Sequence, residues 1–318
     1  MIDGTVAVLG YGHQGRAQAL NLRDSGARVV IGARTGGAGA ARASADGFAP
    51  QPFPDAVAAA GDGFVAALLP DDALPGVFAA EIAPALAPGA AVVLAHGFAA
   101  RFGGLVAPAG TDLVLVAPAA PGAALRDAYA AGRGVPVYIA VVAAASDPAA
   151  ALSRARVYAR ALGTGRPGGT ILETDVASET EVDLFGEQAV VVGGVSELVE
   201  AAFATLVEAG YDERIAYLEV VHQLKHLVDV IHEVGPDGLR DRISGTALYG
   251  ALTRGPRVIG ASSRAAMREL LAEIRDGRFA AEWRAEIAAG TPELARLRAA
   301  ARERGLTAAR ARALDGGA

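Results

Sequence analysis

The sequence predicts an α/β domain with a parallel sheet over residues 1–175, followed by an all-helical domain over residues 176–318. Three observations predict it. Short β-rich apolar runs recur through the first half, each ended by Gly, Pro or a polar cluster. The first of these runs leads directly into a glycine-spaced turn and a helical pattern. Beyond about Asp175 the strand patterns stop and long 3.6-residue periodicities take over.

Composition narrows the function classes. The 318 residues suffice for two domains and a large core. Hydrophobic residues make up 52% and charged residues 20%, a balance that folds. The net charge of -6, without a basic block, argues against nucleic acid as a partner. The chain has no cysteine, which excludes disulfide and thiolate chemistry, and Lys225 is its single lysine. Met1-Ile2-Asp3-Gly4 carries neither a basic region nor an apolar one, so no signal peptide is expected. Gly, Pro and charge interrupt the apolar runs, so no membrane span is expected and the location expected is cytoplasmic.

Thr5–Leu9 reads as a buried strand, and Gly10-Tyr11-Gly12-His13-Gln14-Gly15 follows it. A helical pattern runs from Arg16 to about Ser25, Gly26 closes it, and 27–32 is a second strand. Strand, G-x-G-x-x-G, helix and strand within about 30 residues is the dinucleotide-binding unit. Gly10 allows the tight turn, Gly12 lets backbone N–H groups approach a pyrophosphate, and Gly15 lets helix and strand pack closely. Tyr11, His13 and Gln14 belong to the same turn and are expected to line the cofactor. The second strand ends in Gly32-Ala33-Arg34-Thr35-Gly36-Gly37. No carboxylate stands there for a ribose 2′-hydroxyl, and Arg34 can face a 2′-phosphate, so NADP(H) is expected with NAD(H) open. Further strands are expected over 63–69, 90–94, 113–116 and 136–142. Ligands sit at C-terminal strand ends in such sheets. That rule places Leu69, Pro70, Asp71, His96 and the Pro118–Gly122 loop, Gly122 included, beside the nicotinamide.

In the second half, helices are expected over 180–192, 195–209, 215–233, 261–276 and 291–304, and the tail from about Thr307 is expected to fray. Asp183 and Glu187 are four apart, which stacks two carboxylates on one helical face. Their repulsion is relieved by solvent on an exposed face or by a bound cation. Glu219, Gln223 and His226 share a face of a later helix, with His222 beside them and Asp229 and Glu233 continuing along that side.

Together these segments resemble the short-chain (class I) ketol-acid reductoisomerases over about residues 4–280. The resemblance rests on Gly10–Gly15, Leu68-Leu69-Pro70-Asp71, Ala95-His96-Gly97-Phe98, Gly132-Arg133-Gly134-Val135-Pro136, Glu179–Gln188 and Gly255-Pro256-Arg257. It implies a Rossmann domain and a knotted helical domain, which interlocks two subunits into a homodimer or larger assembly with shared active sites. It also implies two Mg²⁺ ions that assist alkyl migration in a 2-hydroxy-3-keto acid before hydride transfer from NADPH. Asp183, Glu187 and Glu219 match family metal ligands, and Ser244 matches a substrate-contacting serine. The chain departs from the pattern elsewhere: Gln223 replaces a glutamate, Ala119 a lysine, Gly245 an asparagine, Leu248 a glutamate, and Gly37 and Gly39 the serines of the phosphate loop. The amide of Gln223 is a weaker ligand for a hard cation than a carboxylate. Mg²⁺ binding therefore stays open. The expectation is an NADPH-dependent reductase acting on C=O or C=N of a small keto or imine substrate, with migration lost. The alternative is a genuine Mg²⁺-dependent ketol-acid reductoisomerase of branched-chain amino acid synthesis. His96, Glu187, Glu219 and His226 are the candidate proton donors, with His96, Asp183, Glu187, Glu219, Gln223 and Ser244 expected in catalysis.

Overall fold

The computed structural model describes residues 2–145 and 147–314. Two compact units divide the chain, 1–182 and 183–318.

The first unit is built on a seven-stranded sheet. Its strands are β1 (Thr5–Leu9), β2 (Arg28–Gly32), β3 (Phe64–Ala67), β4 (Ala91–Leu94), β5 (Asp112–Pro118), β6 (Pro136–Ala143) and β7 (Thr170–Glu173). Their order is β2-β1-β3-β4-β5-β6-β7. Between and beside them run α1 (His13–Asp24), α2 (Ala38–Ala45), α3 (Phe53–Ala60), α4 (Leu74–Val77), α5 (Phe98–Arg101), α6 (Gly122–Ala130) and α7 (Pro148–Ala159). The inner strands are mostly apolar because both sheet faces are covered, with Thr5 and Asp112 as buried polar residues at the starts of β1 and β5. Val6, Val8, Val93 and Val116 pack with Leu22 of α1 and Tyr158 of α7 on one face. Ala7, Leu9, Val92 and Leu115 pack with Phe53 and Val57 of α3 on the other.

The sheet differs from the fully parallel one expected. β6 runs antiparallel to β5, with Ala117 opposite Tyr138. Apolar runs carry no sign of strand direction. The direction is set by the turn after α6, where Gly132 takes φ +73° and the chain returns to the end of β5. β7 was not anticipated, because this edge strand is short and mostly exposed and so lacks a buried apolar run.

The second unit is helical. The division falls inside α8 (Val176–Gly186), after which come α9 (Gly193–Glu208), α10 (Glu213–Tyr217), α11 (Gln223–Asp241) and α12 (Gly245–Val258). α13 (Ala261–Arg275), α14 (Arg278–Ala288), α15 (Pro292–Glu303) and α16 (Leu306–Leu314) complete it. α12, α14 and α16 were not anticipated. α11 outruns its expected end at Glu233 by bending at Gly235, φ +75°, before Pro236. The tail forms α16 rather than fraying: Ala309 is buried with Phe203 and Tyr217, and Arg312 pairs with Glu213 at 2.6 Å. The expected fraying of 315–318 lies outside the described residues.

The helical run Val176–Glu208 is long and apolar enough to cross a membrane by length and composition, with a window of mean hydropathy 1.8. Gly193 and Gly194, expected to interrupt the apolar run, instead lie within α9. Within the run, Glu197 and Glu200 both pair with Arg304 of the same unit.

Candidate cofactor and active site

The glycine-spaced turn adopts the geometry its spacing implies. Gly10 sits at φ +90°, a conformation that disfavours any other residue. A Cβ on Gly15 would lie 2.1 Å from the Gly10 carbonyl oxygen, so only glycine lets α1 approach β1 this closely. A Cβ on Gly12 would meet nothing within 4 Å, so the chain leaves open space at the start of α1. No side chain caps that helix. Its first N–H groups and the positive end of its dipole therefore suit a pyrophosphate. His13 is exposed there, while Gln14 donates from Nε2 to the Ala120 carbonyl at 2.9 Å. A Cβ on Gly122 would lie 2.2 Å from the His13 carbonyl oxygen, so the loop after β5 packs directly on the start of α1.

Tyr11 is buried. Its hydroxyl donates to Asp46 at 2.9 Å, and Arg16 grips the same carboxylate at 2.6 and 2.9 Å. The Arg16 hydrogen bonds, with help from Tyr11, hold the Asp46 carboxyl below its ordinary value against the cost of burial. Burial first, then Asp46, pushes the Tyr11 phenol well up. Arg42 of α2 donates to the Tyr11 carbonyl at 2.9 Å. The sequence reading named neither Asp46 nor Arg42. Tyr11 is thus a brace for the turn, with its ring side chain committed to Asp46. Arg34 is exposed at the end of β2, and Gly36, φ +71°, turns the chain into α2.

Leu69, Pro70 and Asp71 follow β3, and the Pro70 carbonyl accepts the first amide of α4 from Leu74 at 2.9 Å. His96 follows β4. Its Nδ1 lies 3.4 Å from Glu179 Oε1, while Glu179 Oε2 accepts the Gly97 amide at 3.0 Å and the Thr180 hydroxyl at 3.2 Å. The Glu179 side chain is only 4% exposed and that of His96 is 23% exposed. A Cβ on Gly97 would lie 2.0 Å from Thr180 Oγ1. Gly97 is what admits this first part of α8, and with it Glu179, to the end of β4. Sequence reasoning quoted Glu179 but gave it no role. The available signal was its position four residues before Asp183, the same helical repeat that relates Asp183 to Glu187.

The second unit holds the remaining candidates. Asp183 and Glu187 are both exposed, and at Glu187 the helix widens into a π-type turn, with Val192 N–H bonded to the Glu187 carbonyl at 3.1 Å. Glu219 also lies within such a turn, Leu218–His222. Wide turns rotate the helix face by one residue and recur at functional sites. Glu219 accepts the amide of Gln223 at 2.7 Å, and the His222 and His226 rings meet edge to face at 5.2 Å. Ser244 caps α12, accepting the Ala247 amide at 3.3 Å, which leaves its hydroxyl hydrogen to donate elsewhere. Gln188 Nε2 is buried with no hydrogen-bond partner among the described residues. Also among the described residues, no three His, Asp or Glu side chains gather as a metal set.

An open glycine turn on a doubly wound sheet, with a histidine–glutamate pair at a neighbouring strand end, defines the class of nicotinamide-dependent oxidoreductases. Residues 1–168 match the model of the acetohydroxy acid isomeroreductase NADPH-binding domain. Residues 176–313 match that of the ketol-acid reductoisomerase C-terminal domain. The chain belongs to the ketol-acid reductoisomerase family. It is similar to an NADH-preferring ketol-acid reductoisomerase from an uncultured archean, at 38% identity over 98% of this chain and 93% of that one, with a TM-score of 0.89. A semialdehyde dehydrogenase NAD-binding protein from Cupriavidus necator shares the fold alone, at 19% identity and a TM-score of 0.65 over 86% of this chain and 99% of that one.

Proposed function

We propose that the chain is an NADPH-dependent reductase of this family that has lost metal-assisted alkyl migration. It delivers hydride to a C=O or C=N carbon of a small substrate. The observation that carries the reading is the contrast between its two halves. The cofactor turn keeps each close contact that glycine permits, whereas the Glu219 carboxylate shares its face with the amide Gln223 and spends an oxygen on it. Asp183 and Glu187 would hold any Mg²⁺, with Glu219 joining them only from another copy of the chain, since the described residues of one copy gather no such set; bound there, the ion would polarise substrate oxygens. The donor set fits a hard cation at Asp183 and Glu187 but is one charge short at Glu219 and Gln223.

His96 is the proton donor in this reading. Glu179 holds its Nδ1 side, so the proton passes from Nε2 to the substrate oxygen or nitrogen as hydride arrives at carbon. Glu187, Glu219 and His226 are the other candidate donors, Gln223 contacts the substrate through its amide, and Ser244 donates to a substrate oxygen. Exposed Arg34, without a carboxylate nearby in the loop, supports NADPH over NADH. A homodimer, or larger assembly, supplies the rest of the site. Support comes from the exposed apolar side chains of the second unit, among them Val191 at 65% and Leu252 at 56%, and from the partnerless Gln188 amide. We place the enzyme in the cytoplasm, with neither nucleic acid nor membrane as a partner.

The test is turnover by purified protein with NADPH against a panel of keto and imine compounds, alongside 2-acetolactate with Mg²⁺. Reduction of the panel with negligible acetolactate turnover is expected. Acetolactate turnover at about 1 s⁻¹ or faster overturns the reading. It would favour the second one, a genuine Mg²⁺-dependent ketol-acid reductoisomerase, which the overall likeness to the archaeal-type enzyme supports.

A further inference from the structure

α1 carries an amide-lined stripe that runs inward from the cofactor turn. Gln14, Gln18 and Asn21 recur at i, i+4 and i+7, so they share one face. Gln18 and Asn21 are completely buried. An unpaired buried amide is costly, and an apolar residue would fill the same space without that liability. Asn21 donates to the Leu162 carbonyl at 3.2 Å and accepts from Arg126 at 2.9 Å, whereas Gln18 and Gln14 are linked in series. The Tyr158 hydroxyl bonds to Gln18 Oε1 at 2.9 Å, Gln18 Nε2 to Gln14 Oε1 at 3.3 Å, and Gln14 Nε2 to the Ala120 carbonyl at 2.9 Å.

The outer end sets the polarity of this series. A carbonyl only accepts, so Gln14 must turn its NH₂ toward Ala120 and its oxygen toward Gln18. Gln18 must then present its oxygen to Tyr158, which donates. Tyr158 is wholly buried, and burial keeps its hydroxyl protonated. Each amide has one orientation, so the series is stiff.

It ends on the loop between β5 and α6. That loop is also pinned by Gly122 against the His13 carbonyl and by the Ala119 amide, which donates to Pro136 at 2.9 Å. The sheet order switches between β1 and β3. In this architecture the adenosine half of a dinucleotide lies over the β2 side of the switch point and the nicotinamide half over the β3–β5 side. The loop after β5 therefore faces the nicotinamide end.

We infer that Gln14, Gln18 and Tyr158 are positioning residues for the nicotinamide end of the cofactor, acting through the Ala119–Gly122 loop. The inference rests on the nicotinamide cofactor alone and holds whatever the substrate or metal. Calorimetric titration of the full chain tests it. The ligands are NADPH and 2′-phospho-ADP-ribose, with NADH and ADP-ribose as a second pair. Gln14→Met, Gln18→Met and Tyr158→Phe keep volume and delete hydrogen bonds. Gln14→Met is expected to weaken NADPH about three- to tenfold, the worth of one neutral hydrogen bond, and to leave 2′-phospho-ADP-ribose unchanged. Adding Tyr158→Phe to Gln14→Met should cost nothing further, because both act through one chain. Tyr158→Phe, the mildest change, keeps the test alive if Gln18→Met fails to fold. Parallel weakening of both ligands would reduce the series to a folding device and overturn the inference. Additive single effects, or no effect on NADPH, would do so too.

Discussion

At Gly97 a hydrogen atom separates a working arrangement from a broken one. The backbone there is unstrained, so the demand for glycine comes entirely from the approach of Thr180 and Glu179. Gly97→Ala should lower stability by about 1–3 kcal/mol, the usual cost of overpacking, and part His96 from Glu179. Thermal melting and hydride-transfer rate would both register it. Glu179→Gln is the subtler variant, because the amide oxygen can still accept from Gly97. It should slow hydride transfer about tenfold or more and leave NADPH affinity unchanged. Equal loss of both would show that Glu179 only supports the fold. Much of this scale was legible beforehand: the turn at Gly10–Gly15 and His96 at a strand end both follow from local pattern. The Glu179 contact joins residues 83 apart, and local periodicity does not record which carboxylate a distant glycine admits.

One ion pair makes the link between α1 and the end of α2 sensitive to pH. Arg16 holds the Asp46 carboxyl below 3.8, so the pair stabilises fully above about pH 5. That contribution is lost as pH falls through the lower folded value, where the carboxylate takes up a proton. Asp46→Asn should therefore leave the acid unfolding profile shallower below about pH 4, measured by circular dichroism. Arg34 belongs to the connection between β2 and α2. Arg34→Ala should weaken NADPH about five- to twentyfold while NADH stays within about twofold, the difference being one charge-assisted contact to a 2′-phosphate. Equal affinities in the unaltered protein would instead mark a loop that ignores the phosphate. Here α1 was readable from its periodicity, whereas α2 and the strand direction were not. β6 turns back because of a glycine-dependent turn, and β7 hides because an edge strand needs no apolar face on its outer side.

For the whole molecule the contrast lies between the two cores. The sheet unit buries apolar residues on both faces, whereas the described residues of the helical unit bury a small cluster around Phe203 and a few others such as Leu184 and Ile274, and leave Val190, Val191, Val192, Tyr249 and Leu252 more than half exposed. Light scattering should give at least a dimer at micromolar concentration. Val191→Glu with Leu252→Glu should shift it toward monomer and abolish turnover, with NADPH binding retained by the sheet unit. The sequence pattern announced helices here but not their partners. An amphipathic stripe says that a face is covered without saying by which chain, and carboxylates on separate helices carry no record of what completes their site.

Lys225 has a practical consequence. Its ammonium stands 72% exposed on α11, beside Asp229 at 2.6 Å. No second lysine exists in the chain. A lysine-to-lysine bridge formed by a bifunctional amine reagent must therefore join two molecules. The length of the shortest spacer that succeeds would measure how far apart the same point on α11 lies in neighbouring copies, a ruler already written into the composition.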